Sequence, residues 1–425
     1  MALEQEIFDP IDNAKSQILT QNRGWSQKSR ESALSRLSNI GLPNHRDEYW
    51  KYTNPAELLT NDLHGLSVAS HEEANVFAEV DALKIVFCDG IYRPDLSDEF
   101  LSDNMSINRL ADEGDLHWAQ NYYGTLERNG HTPVARPLAA LNTAIASDGV
   151  LIHVKGNIDK PILLLGLQNT QAEATLHHLI KIDPGCSLTL LESGPFATRL
   201  NTVMEVFLEK GANFEHVRTQ GREHDRWGAT HIFSDIKEEA KFKSFTLTAN
   251  GILTRNECIL NLSGDNCVAH VAGASVGDGK TFHHDDTVFI THDAVACESR
   301  QVFKKVLRNG ATGVFQGKIL VKEGAQKTDG YQISQSLLLD DDSQFLAKPE
   351  LEIYADDVVC SHGSTSGAID EQALFYLCSR GISKEDATDM LTLAFLAEAV
   401  EEIENENVAN IIVEKISAWL SRRKN

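Results

Sequence analysis

A cysteine and a histidine two residues apart form the sharpest chemical pattern in the sequence. Cys360 and His362 follow the β-branched pair Val358 and Val359, which indicates an extended segment. Positions i and i+2 of a strand point to the same face, so the thiol and the imidazole should lie side by side. Such a pair suits iron or an iron–sulfur cluster, with further ligands from elsewhere. A buried cysteine beside a hydrogen-bonded histidine and a nucleophile pair are the alternatives, and no adjacent carboxylate supports the second.

The densest set of imidazoles and carboxylates lies earlier in the chain. These groups could bind a metal ion or serve as acid and base. In a strand, His283 and Asp285 would face one side, whereas the residue after each would face the other. One strand therefore does not assemble a complete ligand set, and a polar face of the fold is favoured. The alternative function is a β-solenoid hydrolase or lyase that uses Asp285, Asp286 and His292. The full set is His283, His284, Asp285, Asp286, His292 and Asp293.

A glycine-rich segment at residues 274–281 fits a relaxed phosphate-loop pattern that ends in Gly279, Lys280 and Thr281. A phosphate loop needs a strand before it and a helix after it, so that backbone N–H groups converge on the phosphates. The residues that follow here are β-branched and polar and indicate a strand. The sequence therefore favours a turn between strands over a nucleotide site.

Three aromatic residues, Tyr49, Trp50 and Tyr52, lie among charged residues between Arg46 and Thr53. Aromatic side chains combine a large apolar surface with a polar tip, which suits either packing or ligand recognition. We favour anchoring of the N-terminal segment on the rest of the protein over ligand recognition.

The elements that must position these groups show an internal repeat. A turn residue, a small residue and an alternating strand recur, and the small residues lie 26, 28, 27 and 27 residues apart. A fixed period of this length, with strands rather than helices in each unit, predicts a β-solenoid of stacked coils. An antiparallel β-sandwich with evenly spaced strands is the alternative. The small residues are Cys186, Ala212, Ala240, Cys267 and Ala294, the last of which precedes an expected strand at 295–297.

Helical patterns frame this β region. Near the start, Leu34, Leu37 and Ile40 recur at helical spacing, and a strand is expected later at 83–87. Near the end, Asp370 caps a helix that closes at Ser379, and Ser383 with Asp386 resembles a capping box. A last amphipathic helix follows. We divide the chain into a mixed and helical N-terminal region at 1–140, a β-helix core at 141–366 and a C-terminal helical domain at 367–425.

Composition and charge restrict the class of protein. The 425 residues include 39 Lys and Arg against 62 Asp and Glu, a formal net charge of -23 at pH 7, which repels nucleic acids and anionic membranes. The seven cysteines contain no C-x-x-C pair and suit free thiols in a reducing compartment. No secretory signal is recognised, and the longest apolar run is far shorter than the ~20 residues of a membrane span. We expect a cytoplasmic protein.

Three blocks of the sequence resemble the SufB/SufD family, the scaffold subunits of the SUF iron–sulfur cluster assembly system. The resemblance covers most of the chain and is weakest over the first 40 residues. The terminal block is the most specific and is too long to arise by chance. The first block is Arg46, Glu48, Trp50, Tyr52 and Thr53; the second is 299–303 with Val306, Phe315 and Gly317; the third is 349–353, 356–363, 374–377 and 379–382.

Within this family, the chain is more similar to the SufD branch than to the SufB branch. SufB-type chains carry an N-terminal cysteine cluster and a Cys-x-His-Glu-Ala type ending. This chain has no cysteine before Cys88, and His362 is followed by Gly363, Ser364 and Thr365. Ser364 and Ser366 depart mildly from the family pattern but leave the cysteine and histidine positions undisturbed.

The resemblance implies a right-handed parallel β-helix flanked by helical regions. It implies a non-catalytic scaffold subunit that works with a SufB-like paralogue and a SufC-type ABC ATPase, which binds the nucleotide in place of this chain. The C-terminal helices would dock the ATPase, and strands near the end of the core would pair with SufB. His362, with Cys360 beside it, matches the interface position where iron or a transient cluster is held. A homodimer when the chain is alone is also compatible with the family.

Overall fold

The computed structural model describes residues 9–20, 24–60, 63, 68, 75–99, 102–112, 117–221 and 226–421. None of the described helices is long and apolar enough to cross a membrane. The helices are α1 Pro10–Thr20, α2 Gln27–Ile40, α3 Ala56–Leu59, α4 His117–Gln120, α5 Thr125–Asn129, α6 Pro137–Ile145, α7 Glu371–Ser379, α8 Lys384–Val400 and α9 Glu406–Ser421. The strands are β1 Leu83–Cys88, β2 Ile91–Tyr92, β3 Met105–Arg109, β4 Val150–Val154, β5 Ile162–Leu167, β6 Glu173–Ile182, β7 Ser187–Ser193, β8 Arg199–Leu208, β9 Asn213–Gly221, β10 Trp227–Ile236, β11 Lys241–Ala249, β12 Leu253–Leu262, β13 Val268–Asp278, β14 His283–His292, β15 Glu298–Arg308, β16 Thr312–Val321, β17 Thr328–Leu338, β18 Gln344–Ile353 and β19 Val358–Gly367.

The strands from β4 onward form a parallel β-solenoid of about seven turns. Each coil contributes one strand to each of two sheets. In sheet 1 the odd-numbered strands from β5 to β19 pair in parallel, and in sheet 2 the even-numbered strands from β4 to β18 do the same. The predicted β-solenoid is confirmed, and the parallel pairing excludes the antiparallel sandwich.

The repeating turn has a clear structural basis. Gly185, Gly211, Glu239 and Asn266 all have left-handed φ values, between 59° and 70°, where the chain turns into sheet 1. The small residue after each is buried at the corner, so the next coil can pack closely on it. Ala311 and Ala325 lie only 14 residues apart, about half a coil, because each of them precedes a strand of a different sheet.

The fifth predicted marker was wrong. Ala294 does not precede a strand, because residues 295–297 form the turn and β15 begins at Glu298. The equivalent small residue is Cys297, which follows Ala296 with a φ of 58° and is almost completely buried. The coil between Cys267 and Cys297 is 30 residues long, so the period of 27 residues cannot be extended through it.

Helices cover the outer faces of both sheets. On sheet 2, Leu138 of α6 packs with Trp50 of the N-terminal segment against Ala229. On sheet 1, the apolar side chains of α8 and α9 pack against several coils, and Leu396 and Ile412 are fully buried. The interior between the sheets is filled by aliphatic and aromatic side chains. The strands of the middle coils are therefore covered on both faces, which is typical of parallel sheets, whereas β18 and β19 contain no buried residue.

The helix boundaries follow the predicted caps. The Asp370 carboxylate accepts hydrogen bonds from the backbone N–H groups of Gln372 at 2.8 Å and Ala373 at 3.2 Å, which begins α7. The Ser383 hydroxyl accepts from the N–H of Asp386 at 3.1 Å, which begins α8. The strand predicted at 83–87 corresponds to β1, and the amphipathic pattern that ends at Ile40 corresponds to α2.

Candidate functional site

The Cys360 and His362 pair lies on β19, the last strand of sheet 1. Cys360 is in register with Gly330 and His362 with Gln332 of β17. Within the described residues, no strand pairs with the outer edge of β19, or with that of β18 in sheet 2. The two side chains share one face of a strand at the open end of the solenoid, as the spacing predicted.

Cys360 is half-buried at this end. Its Sγ would be 3.2 Å from a Cβ built on Gly330, so the glycine leaves room for the sulfur. The side chain packs with Ile319 and Leu351 of the last two coils. Burial raises the pKa of the Cys360 thiol. Because a thiolate is the ligand, binding of a metal would have to release this proton.

His362 is exposed to solvent, two residues further along the same face. Beyond it, the Ser364 hydroxyl accepts a hydrogen bond from Ser334 at 3.0 Å and that of Ser366 accepts from Ser336 at 2.9 Å. In the described part of the chain, no group of three or more Cys, His, Asp or Glu residues could hold a metal ion. The pair is therefore an incomplete ligand set, which a metal or cluster would need to complete with ligands from another molecule.

The dense polar set on β14 is divided between two faces of sheet 2. Asp286 points into the solenoid, where it pairs with Lys305 at 2.5 Å and His284 at 3.0 Å and accepts from Asn256 at 3.2 Å. Burial alone would raise the pKa of Asp286, but His284 and Lys305 outweigh this effect and lower it. The carboxylate is ionised and fully paired.

Asp285 faces the other side of sheet 2, under the N-terminal segment. It pairs with Arg255 and accepts a hydrogen bond from the Thr53 hydroxyl at 2.6 Å. Arg255 also pairs with Glu257 at 2.8 Å, and Trp50 lies over its guanidinium at 4.1 Å. Burial would raise the pKa of Glu257, but its arginine partners lower it to about 2. The predicted aromatic anchoring of this segment is confirmed.

The two carboxylates of the alternative hydrolase therefore lie on opposite faces of one sheet. His292 is a further interior residue, and its imidazole contacts the hydroxyls of Ser299 at 2.8 Å and Thr328 at 3.4 Å. Asp285, Asp286 and His292 do not converge on one point where a substrate could bind. The structure favours a structural role for all three.

The segment at 274–281 contains the end of a strand and the turn that follows it. Ala274 to Asp278 end β13, Gly279 has a φ of 96°, and β14 begins at His283. A strand follows the loop where a phosphate site would need a helix N-terminus. The predicted turn between coils is confirmed.

Three large aromatic or apolar side chains are exposed on the C-terminal helices α7 and α8. Phe375 and Tyr376 of α7 are 75% and 56% exposed, and Met390 of α8 is 50% exposed. α7 contributes no buried residue of its own, in contrast to α8 and α9.

Sequence reasoning missed two polar residues beneath His362. Gln332 of β17 and Gln301 of β15 are fully buried, one and two coils below the histidine in the same register column. The 27-residue period of the sequence does not indicate them, since the three residues lie 31 and 30 positions apart. Polar side chains are uncommon in an apolar interior, and two buried glutamines need hydrogen-bond partners there.

These features define a parallel β-solenoid with helical regions at both ends and a cysteine and a histidine on one face of its last strand. The chain belongs to the SufBD family. Residues 166–395 match the family described as "SUF system FeS cluster assembly, SufBD core domain", and residues 1–164 match the "SufBD protein N-terminal region".

Similar proteins agree with this assignment. The iron-sulfur cluster assembly protein SufD of Escherichia coli is 30% identical over 409 residues, which cover 91% of both chains. SufD of Bacillus subtilis is 24% identical, with 93% of this chain and 94% of the relative covered. SufB of the same organism is 23% identical over 94% of this chain and 80% of its own length.

Proposed function

We propose that this chain is a non-catalytic scaffold subunit for iron–sulfur cluster assembly, and that it works in a complex with a SufB-type paralogue and a SufC-type ABC ATPase. The observation that carries the proposal is the incomplete Cys360 and His362 pair at the unpaired edge of the last coil. Membership of the SufBD family and the similarity to SufD and SufB proteins support it.

In this proposal, iron or a nascent cluster is cargo that is shared between two subunits. His362 offers an imidazole nitrogen, and Cys360 offers a thiolate after loss of its proton. The partner subunit supplies the remaining ligands and pairs its own strands with the free edges of β18 and β19. Unpaired edge strands readily add a strand from another chain. The same surface would serve a homodimer when the paralogue is absent.

The exposed side chains of Phe375, Tyr376 and Met390 would dock the ATPase. A movement of the ATPase would be transmitted to the cluster site through α7, because α7 follows β19 after residues 368–370. Nucleotide turnover then belongs to the ATPase and not to this chain. The seven cysteines, all within the described ranges, are free thiols, which supports a reducing cytoplasmic location.

The ligand role is tested by His362→Ala in the co-expressed complex. We expect the three subunits to co-purify as in the wild type, with much less cluster per complex by absorbance and iron analysis. Loss of an outer partner of a metal ligand already costs about 10- to 100-fold in affinity, so loss of a ligand should cost at least as much. Ser361→Ala is the matched control, because Ser361 is exposed on the opposite face of the same strand. An unchanged cluster yield in His362→Ala would refute the ligand role.

The docking role is tested by Phe375→Ala combined with Tyr376→Ala. We expect loss of ATPase from the purified complex while the SufB-type subunit is retained. Leu19→Ala is a suitable control, since Leu19 is 85% exposed on α1, at the other end of the chain. Retention of the ATPase by the double variant would show that α7 is not its docking site.

A further inference from the structure

A column of polar side chains runs through three successive coils to His362. Gln301, Gln332 and His362 are in register on β15, β17 and β19. The Gln332 amide Nε2 donates a hydrogen bond to Gln301 Oε1 at 2.8 Å. Both glutamine residues are 0% exposed. Among the described residues, Gln332 Oε1 has no hydrogen-bond partner.

The Gln332 amide lies in space that a side chain at position 317 would otherwise fill. Gly317, on the facing strand β16, has no side chain, and a Cβ at that position would overlap with Gln332 Nε2. The amide is thus held by Gly317 on one side and by Gln301 below. The next residue in the column is His362. Neighbouring strands are about 4.8 Å apart. In the structure the His362 ring makes no hydrogen bond to Gln332 Oε1, so the contact requires a change in the side-chain torsions of the exposed His362.

We propose that Gln332 is a positioning residue for His362. Its buried Oε1 accepts a hydrogen bond from one imidazole N–H, which fixes the tautomer and the orientation of the ring. The other ring nitrogen then presents its lone pair to the open end of the solenoid. Histidines that bind metals commonly donate their second N–H to a fixed acceptor in this way. The inference rests on the proposed ligand role of His362 and adds to it how the ligand is oriented.

The tautomer of His362 is the direct readout. We would label the full chain with ¹³C-histidine and record imidazole Cδ2 shifts at about pH 8. The His362 signal is identified by its loss in His362→Ala. We expect a single tautomer in the wild type and a mixture in Gln332→Leu. Gln335→Leu is the matched control, because Gln335 lies on the same strand but its Oε1 accepts from Lys304 on the opposite face.

A mixture of tautomers in the wild type would overturn the inference, even if Gln332→Leu failed to fold. An unchanged single tautomer in a folded Gln332→Leu would overturn it as well. Gln332→Glu retains an acceptor at the same place, so we expect it to restore the single tautomer.

A second readout connects Gln332 with the cargo. In the assembled complex we expect Gln332→Leu to weaken binding of Fe²⁺ about 10- to 100-fold, and Gln332→Glu and Gln335→Leu to bind normally. If His362→Ala weakens iron binding but Gln332→Leu does not, the positioning role fails and the proposed function stands. If His362→Ala has no effect, the ligand role fails, and the tautomer measurement still decides whether Gln332 holds the ring.

Discussion

Two clusters of the same chemistry lie on this solenoid, and they differ in how completely they are paired. On β14, Asp286 has a lysine, a histidine and an asparagine around it, and Asp285 has an arginine and a threonine. On β19, Cys360 and His362 have a neighbouring coil on one side only within the part of the chain that the structure describes. The carboxylates of the denser cluster are all paired, whereas the sparser pair is open.

The difference follows from position in the stack. A side chain in a middle coil finds partners in the coils before and after it, so even buried charges can be neutralised. A side chain in the last coil keeps half of its surroundings free. In a solenoid, the density of polar residues in the sequence is therefore a poor guide to function, and the place of a residue along the stack is a better one.

The largest expected loss of folding free energy comes from removing the paired Asp286 carboxylate of the β14 cluster. Asp286→Ala leaves the Lys305 ammonium buried without its carboxylate, which typically costs about 3–5 kcal/mol of folding free energy. Urea unfolding would measure it. Asp293→Ala is the control, because its pair with Lys322 is largely exposed and such pairs contribute about 0–1 kcal/mol. Equal effects of the two substitutions would contradict the contrast between buried and open groups.

Thiol reactivity provides a second comparison between a middle coil and the last coil. Cys258 on β12 is fully enclosed, and burial raises the pKa of its thiol to about 12. Cys360 is only half-buried at the open end. We expect iodoacetamide to label Cys360 in the native chain on the order of 100-fold faster than Cys258, because reaction needs an accessible thiolate. Mass spectrometry of timed samples would show this, and comparable rates would mean that the last coil is not open.

The buried histidines predict a fall in stability with acid. Burial lowers the pKa of His178, His231 and His292 to about 4. In the unfolded chain these groups titrate near pH 6.5, so between about pH 6.5 and 4 only the unfolded state binds the protons. The free energy of unfolding should therefore decrease as the pH falls through this window. Urea titrations at several pH values would measure the slope, and His292→Gln should reduce it. A constant free energy across the window would show that these groups titrate normally.

The smallest effect is expected for the open pair itself. His362→Ala removes an exposed side chain, and such substitutions usually change stability by less than about 0.5 kcal/mol. The same urea experiment would measure it. A loss comparable to that of Asp286→Ala would place His362 among the structural residues and would weaken the case for a ligand.

The sequence predicted the solenoid because its turns repeat a recognisable pair, such as Gly211 with Ala212. It failed at Ala294, where the coil lengthens by three residues and no local signal marks the insertion. The alternation of side chains along a strand was enough to predict that Asp285 and Asp286 point to opposite faces of the sheet.

The partners of these carboxylates could not be predicted in the same way. Lys305 and Arg255 are 19 and 30 residues from the carboxylates they bind, and only the register of the coils brings each pair together. Gln332 was overlooked for the same reason, since a glutamine between Tyr331 and Ile333 carries no local sign that it lies beneath a histidine.

The unpaired edges of β18 and β19 also have a consequence for how the protein is made. An exposed strand edge is a template that recruits other strands and favours aggregation. Free copies of this chain would present such an edge to one another. Any strand that covers the edge soon after folding would lower the risk of aggregation.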